Sequence, residues 1–235
     1  MSGIGTLINI ITVILGGSLG LLLGKRFSEE LEKTVMRGLG LITLIIGIDM
    51  ALETNMIFIP MGGVVLGGAL GYLLKISQRL DDLGDLLKKK SEKFLNIDFT
   101  EGDFSKGFVT ASLVFCVGPM TILGSIQDGL TGDFSLLAVK AGLDGFASVA
   151  FASTMGIGVL FSVFVLLFYQ GGLTLAAAGM RASFAGMEVT NTPAVIELSA
   201  TGGILILGIG LMLLDIADIE VSNYLPAILI APLLV

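Results

Sequence analysis

Long hydrophobic runs separated by shorter polar stretches dominate the chain. Because a bilayer core about 30 Å thick requires about 20 apolar residues per helix, runs of that length predict membrane-spanning helices. Seven clear runs and one short run lie at approximately 4–24, 38–55, 57–74, 107–127, 134–153, 156–178, 200–217 and 222–235. The pattern predicts an all-α, polytopic transmembrane helical bundle of seven or eight helices. The last run holds Pro226 and Pro232 in at most fourteen residues and could fail to span.

The polar segments carry their own helical pattern. In the one long polar connection, apolar residues recur at helical spacing among charged ones, namely Ile76, Leu80, Leu83, Leu87 and Phe94. This predicts an amphipathic helix lying on the membrane surface. A second, shorter surface helix is predicted from Ser28 to Arg37, with Ser28 as its N-cap. We therefore expect one membrane domain over 1–235, with 76–106 as an amphipathic linker and no soluble module.

The distribution of basic residues predicts an orientation. If every run spans, eleven of the 13 Lys and Arg residues fall on one side and Arg181 alone on the other, while Lys140 lies within a run. By the positive-inside rule the first side is cytoplasmic, so both termini are expected outside. No basic residue precedes the first run, which we expect to remain as an uncleaved helix.

Composition narrows the classes of function. The chain is 54% hydrophobic and 14% charged, with a mean hydropathy of +0.96, a net charge of −7, one cysteine and no histidine. Zinc sites, Cys-His nucleophile pairs and histidine-ligated haem are excluded, and we predict neither a metal nor a cofactor. The negative charge argues against nucleic acid as a partner. No phosphate-binding loop is present, so any active transport would use an ion gradient.

An internal repeat is suggested by the order of four features. A Gly-Ile-Gly start, a Gly-Gly pair, two glycines seven apart and an Ile/Leu-Pro helix opening occur twice. They are Gly3-Ile4-Gly5, Gly16-Gly17, Gly40 with Gly47 and Ile59-Pro60, then Gly156-Ile157-Gly158, Gly171-Gly172, Gly203 with Gly210 and Leu225-Pro226. We interpret these as two three-helix repeats, 1–75 and 156–235, with the helix pair 107–155 inserted. Five crossings separate equivalent helices, so the repeats would be inverted, as in many secondary transporters. Shared composition of glycine-rich helices is the alternative.

Polar groups inside the hydrophobic runs mark a candidate site, because a charged side chain at a helix centre costs about 2.5–3.5 kcal/mol. Gly118-Pro119 interrupts the fourth run and predicts a kink, while Lys140 and Asp144 share one face of the fifth run. We expect the substrate or ion to bind where the fourth, fifth and sixth runs meet the first. The candidate residues are Asn9, Ser125, Gln127, Asp128, Lys140, Asp144 and Gln170.

In this hypothesis Ser125, Gln127 and Asp128 supply polar ligands, and the amides of Asn9 and Gln170 supply hydrogen bonds. Lys140 and Asp144 form a switchable charge pair in which Asp144 is the coupling carboxylate, and Lys140, once released, could bind a substrate carboxylate. Each feature also has a structural interpretation. The charge pair could simply neutralise itself, the buried amides could be interhelical glue, and Gln127 with Asp128 could mark a helix end.

Three further polar or small-residue features have more than one interpretation. Asp133 with Ser135 is expected to cap the fifth run. Asp49 and Glu53, four residues apart near the end of the second run, are either solvated or form a cation vestibule. The glycines of the third run predict close helix packing, either between the repeats or between protomers.

The central block of the sequence resembles a known family. The stretches that carry the resemblance are Phe115-Cys116-Val117-Gly118, Gly124-Ser125, Gln127-Asp128-Gly129-Leu130, Gly132-Asp133, Lys140, Leu143-Asp144-Gly145, Phe151-Ala152-Ser153, Gly156-Ile157-Gly158, Tyr169-Gln170-Gly171 and the Asn223, Leu225-Pro226 ending. Over nearly the whole chain these are similar to domain-of-unknown-function family 554. Pro119 departs from the pattern, where a small residue such as alanine is expected. The resemblance implies a polytopic bacterial inner-membrane protein but supplies no activity.

Together these features predict a secondary transporter or facilitator of a small polar solute or ion. A channel and a non-enzymatic membrane sensor or assembly subunit remain alternatives. A membrane enzyme is disfavoured, because the chain has no histidine and no nucleophile motif. The expected partners are the lipid bilayer, the small solute or ion, and a second copy of the chain through glycine-rich helices.

Overall fold

The computed structural model describes residues 2–24, 29–95, 104–117, 119–179 and 192–235, and within these ranges the chain is helical without β-strands. The helices are α1 (Ile4–Gly24), α2 (Glu29–Ala51), α3 (Phe58–Leu73), α4 (Ile76–Leu95), α5 (Phe104–Val117), α6 (Pro119–Thr131), α7 (Ser135–Met155), α8 (Gly158–Gly179), α9 (Pro193–Leu213) and α10 (Pro226–Ile230), with 3-10 segments at Val221–Tyr224 and Ala231–Leu234. The predicted all-α bundle is confirmed. In the described ranges four helices, α1, α7, α8 and α9, are long and apolar enough to cross a membrane, or up to six spans exist if each of two bent pairs counts as one.

Prolines and polar residues explain where helix bounds differ from the predicted runs. The fourth run is two helices whose axes differ by 58°, since α5 ends at Val117 and α6 begins at Pro119. The missing proline N–H makes this position a natural break, so the predicted kink is confirmed. Helix α9 begins at Pro193, because proline suits the first helical turn. The predicted start at 200 was too late, because the charge of Glu197 interrupts the hydrophobic run.

The two predicted surface helices have different outcomes. Helix α2 continues without interruption from Glu29 into its apolar part, so the segment up to Arg37 is not a separate helix; Ser28, its predicted cap, lies outside the described residues. Helix α4 confirms the amphipathic helix. It begins after Lys75, which has a φ of 54°, and its Ser77 N–H donates to Asn223 Oδ1 at 3.0 Å, which satisfies one free donor of its first turn.

Side chains in α1 are distributed as lipid-embedded packing requires. The face turned into the protein carries Gly5, Thr6, Asn9, Val13, Gly17 and Gly20. Large apolar side chains point outward instead, with Leu7, Ile11, Leu15 and Leu22 all more than half exposed. Because lipid is as apolar as leucine, membrane helices associate through small and polar residues. This arrangement is typical of a helix whose outer face contacts lipid.

One compact unit is built around α1, α7 and α8. It comprises Met1–Met36, Asp81–Cys116 and Met120–Gly186. Helices α1 and α7 run parallel, because their contacts advance together from Gly5 against Leu137 to Gly24 against Ser153. Helix α8 is antiparallel to α1, with Leu160 near Gly17 and Gln170 near Thr6. Fully buried Phe108, Phe115, Phe151, Leu137, Leu166 and Val159 fill the apolar part of this unit.

The second compact unit contains the antiparallel pair α2 and α9. It comprises Arg37–Leu80, Val117–Pro119 and Met187–Val235. Helix α2 crosses α9 through reciprocal glycines: a Cβ on Gly47 would lie 2.9 Å from the carbonyl oxygen of Gly203, and one on Gly203 would lie 2.8 Å from that of Gly47. Two helical turns away, a Cβ on Gly40 would lie 3.2 Å from the carbonyl oxygen of Gly210. The four glycines therefore set how closely the two backbones approach.

Helix α3 packs its glycine face against the C-terminal segment of the same unit. A Cβ on Gly63 would meet Ala231 at 2.9 Å, and Gly67 and Gly71 lie against Ala227 and Asn223. The order of these contacts makes α3 and α10 antiparallel. The predicted packing role of the third run is thus met within one chain. Association of copies of the chain stays a prediction, as does the division of the chain into repeats, linker and inserted pair.

Candidate functional site

Three helices of the first unit bring buried polar side chains together. Asn9 on α1 donates from Nδ2 to Asp144 Oδ2 on α7 at 2.9 Å and to Gln170 Oε1 on α8 at 3.0 Å. Gln170 in turn donates from Nε2 to Thr6 Oγ1 at 3.2 Å. Asn9 and Gln170 have no exposed surface. These side chains and Lys140 are named the polar cluster: Thr6, Asn9, Lys140, Asp144 and Gln170.

An ion pair provides the charges of the polar cluster. Lys140 Nζ bonds Asp144 Oδ2 one helical turn away on α7, and the two residues are 4% and 6% exposed. Taking both charges out of water is expensive, and their attraction in a poorly polarisable interior offsets that cost only when further hydrogen bonds assist. The amide of Asn9 supplies one such bond. The pair is neutral as a whole, which suits a membrane interior.

One atom of the polar cluster has no hydrogen-bonding partner among the residues that the structure describes. This atom is Asn9 Oδ1, which is buried and accepts no hydrogen bond from them. The orientation of the amide is determined by its surroundings, because both neighbours of Nδ2 are oxygen acceptors and a flipped amide would place oxygen against oxygen. A buried polar atom without a partner costs about 1–3 kcal/mol. The polar cluster therefore contains an acceptor that is available to a donor or a cation.

The broken helix lies beside the polar cluster. Cys116, at the end of α5, is buried and within electrostatic range of Lys140 and Asp144. A break leaves main-chain carbonyls without intrahelical partners. Thr121 Oγ1 donates to the carbonyl of Phe115 at 2.9 Å and so satisfies one of them across the break. The Thr121 side chain on α6 therefore stabilises the break.

Three of the seven predicted site residues lie in α6 and make other contacts. Ser125 Oγ donates to the carbonyl of Thr121 in its own helix at 2.5 Å. Gln127 Nε2 donates to Asp133 Oδ2 at 2.9 Å at the helix end. No hydrogen bond within the described residues joins either side chain to the polar cluster. The structure thus brings together Asn9, Lys140, Asp144 and Gln170, and does not bring Ser125, Gln127 or Asp128 to them.

Asp128 caps the start of α1. Its carboxylate accepts hydrogen bonds from the N–H groups of Gly3 at 3.1 Å and Gly5 at 3.2 Å, although the residue is fully buried. A carboxylate at a helix N-terminus satisfies free donors and interacts favourably with the helix dipole. Gly3 has a φ of +98°, a conformation that favours glycine. Asp128 is therefore neither a ligand of the polar cluster nor a solvated end of its own helix, as the sequence suggested, but a buried cap of α1.

The loop before α7 contains the expected capping contact. Asp133 Oδ1 accepts a hydrogen bond from the Ser135 N–H at 3.0 Å. That bond, together with one from the Ser135 side chain and one from Gln127, lowers the pKa of the exposed Asp133 carboxyl below its ordinary value. Asp133 is therefore held as a carboxylate at the start of α7.

Sequence reasoning missed a buried acid in the second unit. Glu197 on α9 is 1% exposed and accepts hydrogen bonds from Thr54 Oγ1 at 2.6 Å, the Asn55 N–H at 3.0 Å and the Met56 N–H at 3.2 Å. It therefore anchors the connection between α2 and α3. The neighbouring Glu53 accepts from Ser199 at 2.5 Å. The sequence did contain a signal for Glu197: Pro193 is typical of a helix start, and a carboxylate four residues later lies inside that helix.

A separate apolar cavity lies in the first unit. It has a volume of about 550 Å³ and is lined by Leu83, Leu87, Phe108, Phe164, Val165, Phe168 and Tyr169. Its lining offers little hydrogen bonding to a polar solute. Within the described residues there is no group of three or more His, Cys, Asp or Glu side chains that could hold a metal ion. The polar cluster thus contains a single carboxylate.

Comparison with known proteins gives a family and two relatives. The profile of the family described as "Protein of unknown function (DUF554)" matches residues 4–235. The chain is 30% identical over 237 residues to "Uncharacterized membrane protein YdfK" of Bacillus subtilis (strain 168), covering 98% of this chain and 95% of that protein. It is also 30% identical over 232 residues to "Uncharacterized protein YqgA" of Escherichia coli (strain K12), covering 97% and 94%. No solved structure matches the chain.

Proposed function

The chain belongs to the DUF554 family of membrane proteins, and from this premise we propose that it is a secondary transporter or facilitator of a small polar solute or ion across the bacterial inner membrane. The polar cluster is its binding site, and no enzymatic step is involved. The observation that carries the proposal is an ion pair with hydrogen-bonded amides enclosed among apolar helices. Intramembrane ionisable residues are expensive and commonly mark solute or ion pathways.

The position of the polar cluster supports a transport role. Asp144 lies about midway along α7 (Ser135–Met155), and Gln170 lies about midway along α8 (Gly158–Gly179). Secondary transporters bind substrate and coupling ions near the bilayer midplane, often beside discontinuous helices. The break between α5 and α6 supplies such a discontinuity next to Cys116. A carrier of this type exposes its site alternately to the two sides.

Helix directions support the inverted repeat. The helices that the repeat equates are α1 with α8, α2 with α9 and α3 with α10, and each pair is antiparallel. In the second pair the contact is self-complementary: Gly47 meets Gly203 and Gly40 meets Gly210, and the repeat exchanges these two contacts. A two-fold relation produces such reciprocity, because residue i contacts j and the equivalent of j contacts the equivalent of i.

The same helix directions support the orientation that we propose. Helices α1 and α7 are parallel and α8 is opposed to them, which agrees with α1 as the first crossing and α7 as the fifth. The positive-inside rule then puts the basic segments of α2 and α4 in the cytoplasm and both termini outside. A carrier is favoured over a channel because the polar cluster is buried on all sides, so a solute could reach it only after a conformational change.

The experiment is gradient-driven uptake into liposomes that contain the purified full chain. A thermal-shift screen in detergent against amino acids, organic acids and monovalent cations first selects the probe, since a compound at 100 times its Kd stabilises by about 2.7 kcal/mol. We expect Asp144→Asn to abolish uptake of that probe. Ser162→Ala, which removes a buried hydroxyl that donates to the Val159 carbonyl of its own helix, is the matched control and should retain it.

Two outcomes contradict the carrier proposal. Full uptake by Asp144→Asn would exclude the ion pair from the mechanism. Unitary current steps in planar bilayers, in place of slow saturable flux, would favour the channel alternative.

A further inference from the structure

We propose that the polar cluster exchanges one monovalent inorganic cation for the proton carried by Lys140, so that the transported or coupling species is a small bare cation. The inference rests on the proposed function and specifies its substrate class. It is drawn from the one orphaned atom in the cluster together with the neutrality of its ion pair.

The orphaned atom decides the sign of the ligand. Asn9 Oδ1 is an acceptor, so its missing partner must be a cation or a hydrogen-bond donor. The other oxygens of the cluster are the Asp144 carboxylate, Gln170 Oε1 and Thr6 Oγ1. Carboxylate, amide and hydroxyl oxygens together form a hard-cation donor set. An organic anion entering here would meet these oxygens and the charge of Asp144.

Burial decides the size of the ligand. Asn9 and Gln170 have no exposed surface, and Lys140 and Asp144 are almost completely buried. The apolar cavity of the same unit is lined by other residues and includes no member of the polar cluster. An organic ammonium would therefore need a larger space than the cluster offers. A dehydrated monovalent ion occupies no more room than the lysine ammonium that it displaces.

Charge neutrality determines the stoichiometry. A lysine ammonium and an aspartate carboxylate sum to zero, and an additional cation would leave an uncompensated charge in a poorly polarisable interior. The charge stays constant if Lys140 loses one proton when the cation binds Asp144. In that step the N–H bond of the ammonium breaks, its electron pair remains on Nζ, and the proton leaves to water. A divalent ion would leave a net positive charge beside a single carboxylate.

The ionisable groups around Lys140 allow this exchange. Among the described residues, α7 itself brings Asp144, α5 brings the thiol of Cys116, and α1 carries no ionisable side chain. On α8, the phenol of Tyr169 interacts with the thiol of Cys116. Asp128 on α6 is engaged by the N–H groups at the start of α1. None of these groups is a second cation, so Lys140 holds the exchangeable positive charge.

The test is proton release from the purified full-length protein in a weakly buffered detergent solution. Addition of Na⁺, Li⁺ or K⁺ chloride should release protons from the wild type, reaching one proton for each cation bound, while choline chloride should release none. Isothermal calorimetry in two buffers of different ionisation enthalpy gives the same stoichiometry independently. Release should shift with pH, because cation and proton compete.

Variants assign the roles. Lys140→Arg, whose guanidinium keeps its proton, should neither bind the cation nor release a proton, and Asp144→Asn should also do neither. Asn9→Ala should retain the one-to-one stoichiometry with an affinity reduced about tenfold, as expected for loss of a single ligand to a charged group. Ser162→Ala should match the wild type. Circular dichroism and gel filtration confirm that each variant is folded.

The outcomes separate this inference from the proposed function. Folded wild-type protein that releases no proton with any of the three cations, yet shows Asp144-dependent uptake of an organic probe, overturns the cation exchange and leaves the transporter. Proton release that persists in Lys140→Arg also overturns it, because a guanidinium cannot supply the proton. Cation-linked proton release in detergent without flux across liposomes would support the exchange site and contradict transport.

Discussion

Of the three acids that are buried among the described residues, Glu197 and Asp144 have opposite surroundings. Glu197 accepts its hydrogen bonds from two main-chain N–H groups and a threonine hydroxyl, all neutral donors held by the turn after α2. Asp144 is bonded to the ends of two side chains, the ammonium of Lys140 and the amide of Asn9. Main-chain donors cannot leave without unfolding the turn, whereas side chains can rotate away. Burial alone therefore does not distinguish an anchoring acid from an exchangeable one; the mobility of its partners does.

The largest expected effect comes from removing the partner of Asp144. Lys140→Met leaves a buried carboxylate unpaired and should lower the free energy of unfolding by about 3–5 kcal/mol. Denaturant-induced unfolding in detergent micelles measures this loss. The double variant Lys140→Met/Asp144→Leu replaces both charges with apolar groups of similar size and should recover most of the stability, since buried ion pairs are often replaceable in this way.

The double variant also separates stability from function. We expect it to be folded and inactive in gradient-driven uptake, because the exchangeable charges are absent. If it were as unstable as Lys140→Met alone, the cost would come from packing rather than from the unpaired charge, and the contrast with Glu197 would weaken.

A smaller effect is expected for the anchoring acid. Glu197→Gln keeps one acceptor oxygen but turns an NH₂ group toward N–H and hydroxyl donors, and it should cost about 1.5–3 kcal/mol of stability, the range for bonds to charged groups. Uptake per folded molecule should remain at the wild-type level. Asp218→Asn makes the equivalent change from carboxylate to amide at an exposed acid of the same unit and should stay within about 0.5 kcal/mol. A loss of uptake in folded Glu197→Gln would assign this acid to the transport pathway as well.

The polar cluster was largely predictable from the sequence, because placing charge or amide groups inside hydrophobic runs is costly and only mutual contact relieves it. Asn9, Lys140, Asp144 and Gln170 were expected together on that basis, and the structure joins them. Thr6 was missed, since a threonine in a hydrophobic run costs little and gives no comparable signal. That Asn9 bonds both Asp144 and Gln170 depends on how α1, α7 and α8 are rotated about their axes, which cannot be read from the sequence.

Polar residues at helix ends were harder to interpret. Ser125, Gln127 and Asp128 follow one another within one turn, yet they bond a carbonyl of their own helix, a loop acid and the start of α1, respectively. Which of these partners each residue finds depends on where the helix ends and what packs above it. Hydropathy likewise placed the start of α9 too late, because Glu197 lies inside the helix and accepts its hydrogen bonds from a turn distant in sequence.

The smallest expected effect belongs to a third acid, which is exposed. Asp133 accepts from the Ser135 N–H, and this bond lowers its pKa in the folded protein. A lowered folded-state pKa means that the stabilisation is complete above the ordinary aspartate pKa of about 3.9 and is lost as the pH falls through the folded-state value. Asp133→Asn should therefore reduce Tm slightly at neutral pH and flatten its decline in acid, as measured by differential scanning fluorimetry. Asp49→Asn removes one exposed acid elsewhere and corrects for the general change in charge. After that correction, a Tm profile of Asp133→Asn that is parallel to the wild type at every pH would show that the capping bond contributes nothing to stability. The effect of partner mobility would then be judged on Glu197 and Asp144 alone.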